Sequence, residues 1–146
     1  MMEEEREQAV WARVRGTPGL PIQECARCAG LLRTLYKRGL CRETTAWLLK
    51  KQMEQLETIR GIYALLGERE PGWVMVDAQG LTDGETAAEA AQLCRVLAMA
   101  YSALEEDASF GGLYRLFSRE SWAMVGALLR VYREACRKSG KGKQNF

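Results

Sequence analysis

At 146 residues, with 47% hydrophobic and 27% charged side chains and only 3 Pro, the chain has one domain's length and a globular helical composition. A formal net charge of +2 is too small to argue for nucleic acid as a partner. The absence of any His excludes His-based acid–base catalysis, Ser–His or Cys–His nucleophile pairs and every imidazole metal site.

A chain of this size buries roughly 68–70% of its unfolded surface, enough for a core without metal or disulfide staples. No run approaches the roughly 18 consecutive apolar residues of a membrane span. The start, Met1 to Glu7, is acidic and lacks the positive and then apolar pattern of a signal peptide. The 5 Cys (Cys25, Cys28, Cys41, Cys94 and Cys136) are an odd number, which points to free thiols in a reducing compartment. The expectation is a cytoplasmic protein with no membrane partner.

Apolar spacing of three and four predicts a short leading helix from about Glu3 to Arg15, with Ala9, Val10, Trp11 and Val14 on its apolar side. Gly16, Pro18, Gly19 and Pro21 punctuate it. A second helix starts near Pro21, with Ile22, Cys25, Ala29, Leu32 and Tyr36 as its seam, and stops at Gly39. A third runs from about Arg42 to Leu66, with Leu49, Met53, Leu56, Ile59, Tyr63 and Leu66 along one face. Thr82 with Glu85 has the form of a capping box opening a fourth helix, whose seam is Ala90, Cys94, Leu97, Tyr101 and Leu104. A fifth follows the break at 109–112 and runs to about Lys138 along Phe117, Ser121, Met124, Leu128, Val131 and Ala135. Residues 139–146 lack apolar periodicity and read as a disordered basic tail, leaving 1–138 as a single helical domain. Such a tail touches phosphate in some proteins; a solvated end is the commoner reading.

Short links pair the second helix with the third and the fourth with the fifth as antiparallel hairpins. Between the hairpins lie about fourteen residues, 67–80, which reach about 46 Å when extended. A helix of about 24 residues is roughly 36 Å long, so this connection is long enough to cross the bundle. A local excursion at one end is the alternative. The predicted fold class is all-α: a four-helix bundle with one long crossover and a short N-terminal helix.

Two hairpins joined by one crossover are the architecture of the ferritin-like superfamily, and the chain resembles its small rubrerythrin-like bacterial members. The resemblance is carried by 7–14, by Leu31 to Tyr36, by Ile62 to Gly67 and by Leu113 to Glu120. It implies a di-iron site built from one Glu on each of two helices and a Glu-x-x-His on each of the other two. Laid on this chain, the pattern finds Glu24 or Cys25, then Gln52 and Gln55, then Cys94, then Ser121 and Met124. At most one ligand survives, so a standard di-iron site is excluded and no catalytic or cofactor-binding residue is identified.

The remnant metal positions are Glu24, Cys94 and Glu120. The reading that follows is a non-catalytic bundle with a structural or protein-interaction role and no cofactor, with a homo-oligomer as one possible assembly. The alternative is a diverged metal-binding or oxidoreductase protein holding iron or zinc through Glu24, Cys25, Cys94 and Glu120. The Cys25–Cys28 pair lacks further ligands for zinc and the strand–helix setting of a redox motif, so small packed thiols are the first reading. Trp47 and Trp122 sit beside the seams, where core packing is the first reading and a subunit interface the second. Trp73 is expected to pack the long connection onto the bundle.

Overall fold

Four α-helices make up the regular structure of the computed structural model, which describes residues 20–144. They are α1 (Ile22–Lys37), α2 (Arg42–Leu65), α3 (Asp83–Ser102) and α4 (Gly111–Gln144). Among the described residues there is no strand, and no helix is long and apolar enough to cross a membrane. The leading helix predicted over 3–15, with Trp11, lies outside the described residues.

The helix ends follow local chemistry. Pro21 caps α1, and Gly39 ends it with a φ of 77°, a backbone state open to a residue without Cβ. Cys41, with φ 45°, makes the turn into α2, and the Arg42 guanidinium stacks over the Tyr36 ring. Past α2, the Gly67 N–H bonds to the Ala64 carbonyl and the Glu68 N–H to the Tyr63 carbonyl. This paired closure satisfies carbonyls that the helix end would leave open. Thr82 and Glu85 form the capping box expected for α3, each side chain accepting from the other's backbone N–H. At the next turn the Asp107 carboxylate accepts from the N–H groups of Ser109 and Phe110 at 2.9 and 2.7 Å and sets the start of α4. α4 continues to Gln144 instead of ending near Lys138. Ser139, Gly140 and Gly142 lower helix propensity but keep the backbone N–H that a helix needs.

α1 packs against α2 and α3, and α4 packs against α3 and α2. No close backbone approach joins α1 to α4 or α2 to α3, so these pairs lie across the diagonals. One apolar cluster fills the space between all four, with Leu32, Leu35, Leu56, Ile59, Leu97 and Leu128 almost fully excluded from solvent.

The segment between α2 and α3 lies against α1. Gln23 donates to the Gly72 carbonyl, Arg33 to the Met75 carbonyl and Asp77, and Arg38 to the Leu81 carbonyl and Asp83. The contacts ascend together in both sequences. The segment alternates accordingly: Trp73, Met75 and Asp77 are half-buried, while Val74 and Val76 face outward. Gly30 makes the close passage possible, because a Cβ there would overlap the Val76 carbonyl oxygen.

The inner face of α2 differs in part from the predicted seam. Leu56, Ile59 and Tyr63 are buried as expected, but Leu49, Met53 and Leu66 are only half-buried. Leu48, Gln52 and Gln55 are fully buried beside them. An apolar count misplaces this stripe because two of its inward positions carry amides.

Candidate functional site

The polar interior of the bundle is assembled from all four helices. Cys25 on α1, Gln52 and Gln55 on α2, Cys94 on α3, and Ser121 and Met124 on α4 each have no solvent exposure. The 3.6-residue period explains the pairs: positions three apart, such as Gln52 and Gln55, share one helix face. Gln52 Nε2 donates to Cys25 Sγ at 2.8 Å and reaches Gln55 Oε1 at 3.5 Å. Gln55 Nε2 in turn donates to Ser121 Oγ at 3.4 Å and lies 4.0 Å from Met124 Sδ. On the other side, Cys28 Sγ and Cys94 Sγ are 3.6 Å apart.

Toward the α3–α4 turn the interior becomes aromatic. Tyr101 stacks with Tyr114 at a centroid distance of 6.4 Å and meets Phe117 at 5.4 Å. The hydroxyls of Tyr63, Tyr101 and Tyr114, and Oε1 of Gln52, are buried without a hydrogen-bond partner among the described residues. Burial is the main cause of every titration shift here except one. It pushes the Cys25 thiol from 9.0 to about 12 against the opposing Gln52 bond. It also raises Tyr63, Tyr101 and Tyr114. Cys28 is held well above its ordinary value first by the hydrogen bond with Cys94 and then by burial. These groups are neutral at pH 7, and none is poised to accept or deliver a proton there.

The sequence-predicted remnant residues separate. Cys94 is inside, paired with Cys28. Glu24 is half-buried on the flank of α1, and Cys25 takes the inward position next to it. Glu120 is half-buried, 3.9 Å from Lys51 Nζ on α2. Burial raises its pKa, Lys51 opposes that shift and Glu54 adds to it. Glu54, Glu57 and Glu106 are exposed, and Glu89 pairs with Arg27. Among the described residues no three Cys, Asp or Glu side chains converge on a point that would hold a metal ion.

Trp73 donates its indole N–H to Glu70 at 2.6 Å, lies under the Arg60 guanidinium and packs on the core, holding the segment as expected. That hydrogen bond is the first cause of the lowered Glu70 pKa. Trp47 and Trp122, by contrast, are 39% and 48% exposed, so neither is a core anchor. A surface groove of about 580 Å³ separates this segment from α3, with the Arg27–Glu89 pair on its wall. Its two carboxylates, Asp77 and Glu89, are paired with Arg33 and Arg27.

No protein-family model, curated protein or solved structure matches the chain.

Proposed function

We propose that the chain is a non-catalytic, ferritin-like helical bundle without a standard di-iron site, with a structural or protein-interaction role. One observation carries the reading. The six positions on which the ferritin-like ligand pattern falls are drawn together in the bundle interior, and they hold Cys25, Gln52, Gln55, Cys94, Ser121 and Met124. None of these side chains is a carboxylate or an imidazole. Two cations at such a spot need several carboxylates to offset their charge, and a cluster of carboxylates without cations would be unstable there. The donor set does not fit two irons; it fits a packed core joined by amide, hydroxyl and thiol contacts.

The course of residues 72–83 along α1 favours a one-crossover topology of the ferritin-like kind, since the link rises beside α1 from Gln23 to Arg38. Self-association is the interaction favoured. Val96 and Met99 on α3 and Trp122 and Leu129 on α4 leave large apolar side chains in solvent.

Elemental analysis of the full chain, purified anaerobically without a tag, tests the proposal. Helical protein carrying no stoichiometric iron or zinc is expected. Stoichiometric iron would overturn it in favour of a diverged metal protein using Glu24, Cys25, Cys94 and Glu120.

A further inference from the structure

We infer that Cys28 and Cys94 form a peroxide-responsive disulfide that ties α1 to α3 through the interior of the bundle. Their sulfurs are 3.6 Å apart, in contact, with both side chains fully excluded from solvent. A disulfide needs about 2.05 Å between sulfurs and Cβ atoms about 3.5–4.5 Å apart. Ala87 and Ala90 on α3 are small and fully buried. Small residues let two helix backbones approach closely, and Cys28 Sγ also lies 3.8 Å from the Ala90 carbonyl.

Cys25 is the competing partner, and helix geometry disfavours it. Side chains three apart inside a helix have Cβ atoms about 5–6 Å apart, beyond the reach of an unstrained bridge. Cys25 is occupied instead by Gln52. Cys41 is half-buried at the α1–α2 turn, and Cys136 is exposed on the far part of α4.

The oxidant is a small neutral hydroperoxide, hydrogen peroxide being the simplest. Only when the core opens locally does one thiol give up its proton, to the departing hydroxide, as it attacks the peroxide oxygen; the O–O bond breaks, water leaves, and a sulfenic acid remains. The facing thiol then attacks that sulfur, the S–O bond breaks, and its oxygen leaves as a second water. Two thiols are oxidised to one disulfide and one peroxide is reduced to two waters. Burial decides which oxidants work. A peroxide penetrates a core that opens locally, whereas glutathione disulfide is too large to meet these sulfurs and reacts at exposed Cys136.

The crosslink would join the hairpin α1–α2 to the hairpin α3–α4 and close the chain between residues 28 and 94. That restricts the unfolded chain more than the folded one, so the oxidised form melts at a higher temperature.

The test treats the full chain with hydrogen peroxide or glutathione disulfide, blocks the remaining thiols with N-ethylmaleimide under denaturing conditions, and maps the peptides. Peroxide should give a monomer lacking two hydrogens, with a Cys28–Cys94 peptide pair that dithiothreitol releases. Its melting midpoint should rise, and Cys28→Ser or Cys94→Ser should abolish the bridge while Cys25→Ser and Cys136→Ser keep it. The mapping stands on the unaltered chain even where a serine variant fails to fold. Alkylated Cys28 and Cys94 after peroxide, a bridge to Cys25, or equal bridging by glutathione disulfide would each overturn the inference.

Discussion

Gln52 is fully buried with only one end of its amide bonded. Its Nε2 bonds to the Cys25 thiol, but its Oε1 has no partner among the described residues. A buried amide oxygen left open costs about 1–3 kcal/mol, while a hydrogen bond contributes about 1 kcal/mol net. Gln52→Met keeps the volume and removes the open oxygen. Its unfolding free energy in urea should be unchanged or higher by about 1 kcal/mol. A loss above about 2 kcal/mol would show that the bond to Cys25 outweighs the open oxygen.

Side chains of this kind are the hardest to read in advance. The apolar spacing of α3 and α4 identified their inner faces, since Ala90, Cys94, Leu97 and Tyr101, and Phe117, Met124, Leu128 and Val131, are all buried. On α2 the same method favoured Leu49 and Met53 over Leu48 and Gln52. Gln52 and Gln55 were singled out only by the ligand pattern that the ferritin-like resemblance implied, not by apolar spacing. No count of apolar residues would have marked Asp107 as the organiser of the α3–α4 turn. The Asp-x-Ser-Phe order, with a carboxylate just before the helix, was the available signal.

Among the elements, the segment from Gly67 to Thr82 depends most on its neighbours. It has no backbone ladder of its own and is held by side chains of α1: Gln23, Arg33, Thr34 and Arg38. Gly30 sets the distance at which it passes. In Gly30→Ala the new methyl group meets the Val76 carbonyl oxygen, which belongs to backbone and yields only if the segment shifts. A destabilisation of about 1–3 kcal/mol is expected from crowding of this kind, measured by urea unfolding. Hydrogen exchange of the amides of residues 72–78 should quicken in the same variant. Length alone had shown that this connection was able to cross the bundle. The reason for glycine at position 30 was not visible until the carbonyl was seen against it.

For the molecule as a whole, the neutral interior sets the response to alkali. Burial raises the Cys25 thiol from 9.0 to about 12, and Cys28 and Tyr101 are raised as well. A group whose folded pKa is raised contributes stability that is present below its unfolded pKa and lost as pH rises toward the folded value. The protein should therefore be at full stability near pH 7 and lose it above about pH 9, by up to about 1.4 kcal/mol per pH unit for each such thiol. Guanidinium titrations at pH 7, 9 and 10 would measure this, and Cys25→Ala should make the fall shallower. A flat profile would mean that the thiols meet solvent. Acid acts at the surface instead. The Arg33 hydrogen bond holds Asp77 below its ordinary range, so that contact contributes above the unfolded carboxylate value and is lost as pH falls through the folded one.

The four described helices and most of their inner faces were legible in the sequence, because apolar periodicity and caps such as Thr82–Glu85 are local. So was the loss of imidazole chemistry, because a residue type that is absent is absent in any fold. Tertiary structure decided which positions share the interior. Cys28 and Cys94 meet across 66 positions of chain, and Gln55 meets Ser121 across the same separation. It also turned Trp47 and Trp122 outward. The reason is physical: a periodic pattern reports which face of a helix is buried, while the neighbour that buries it depends on how the other helices pack.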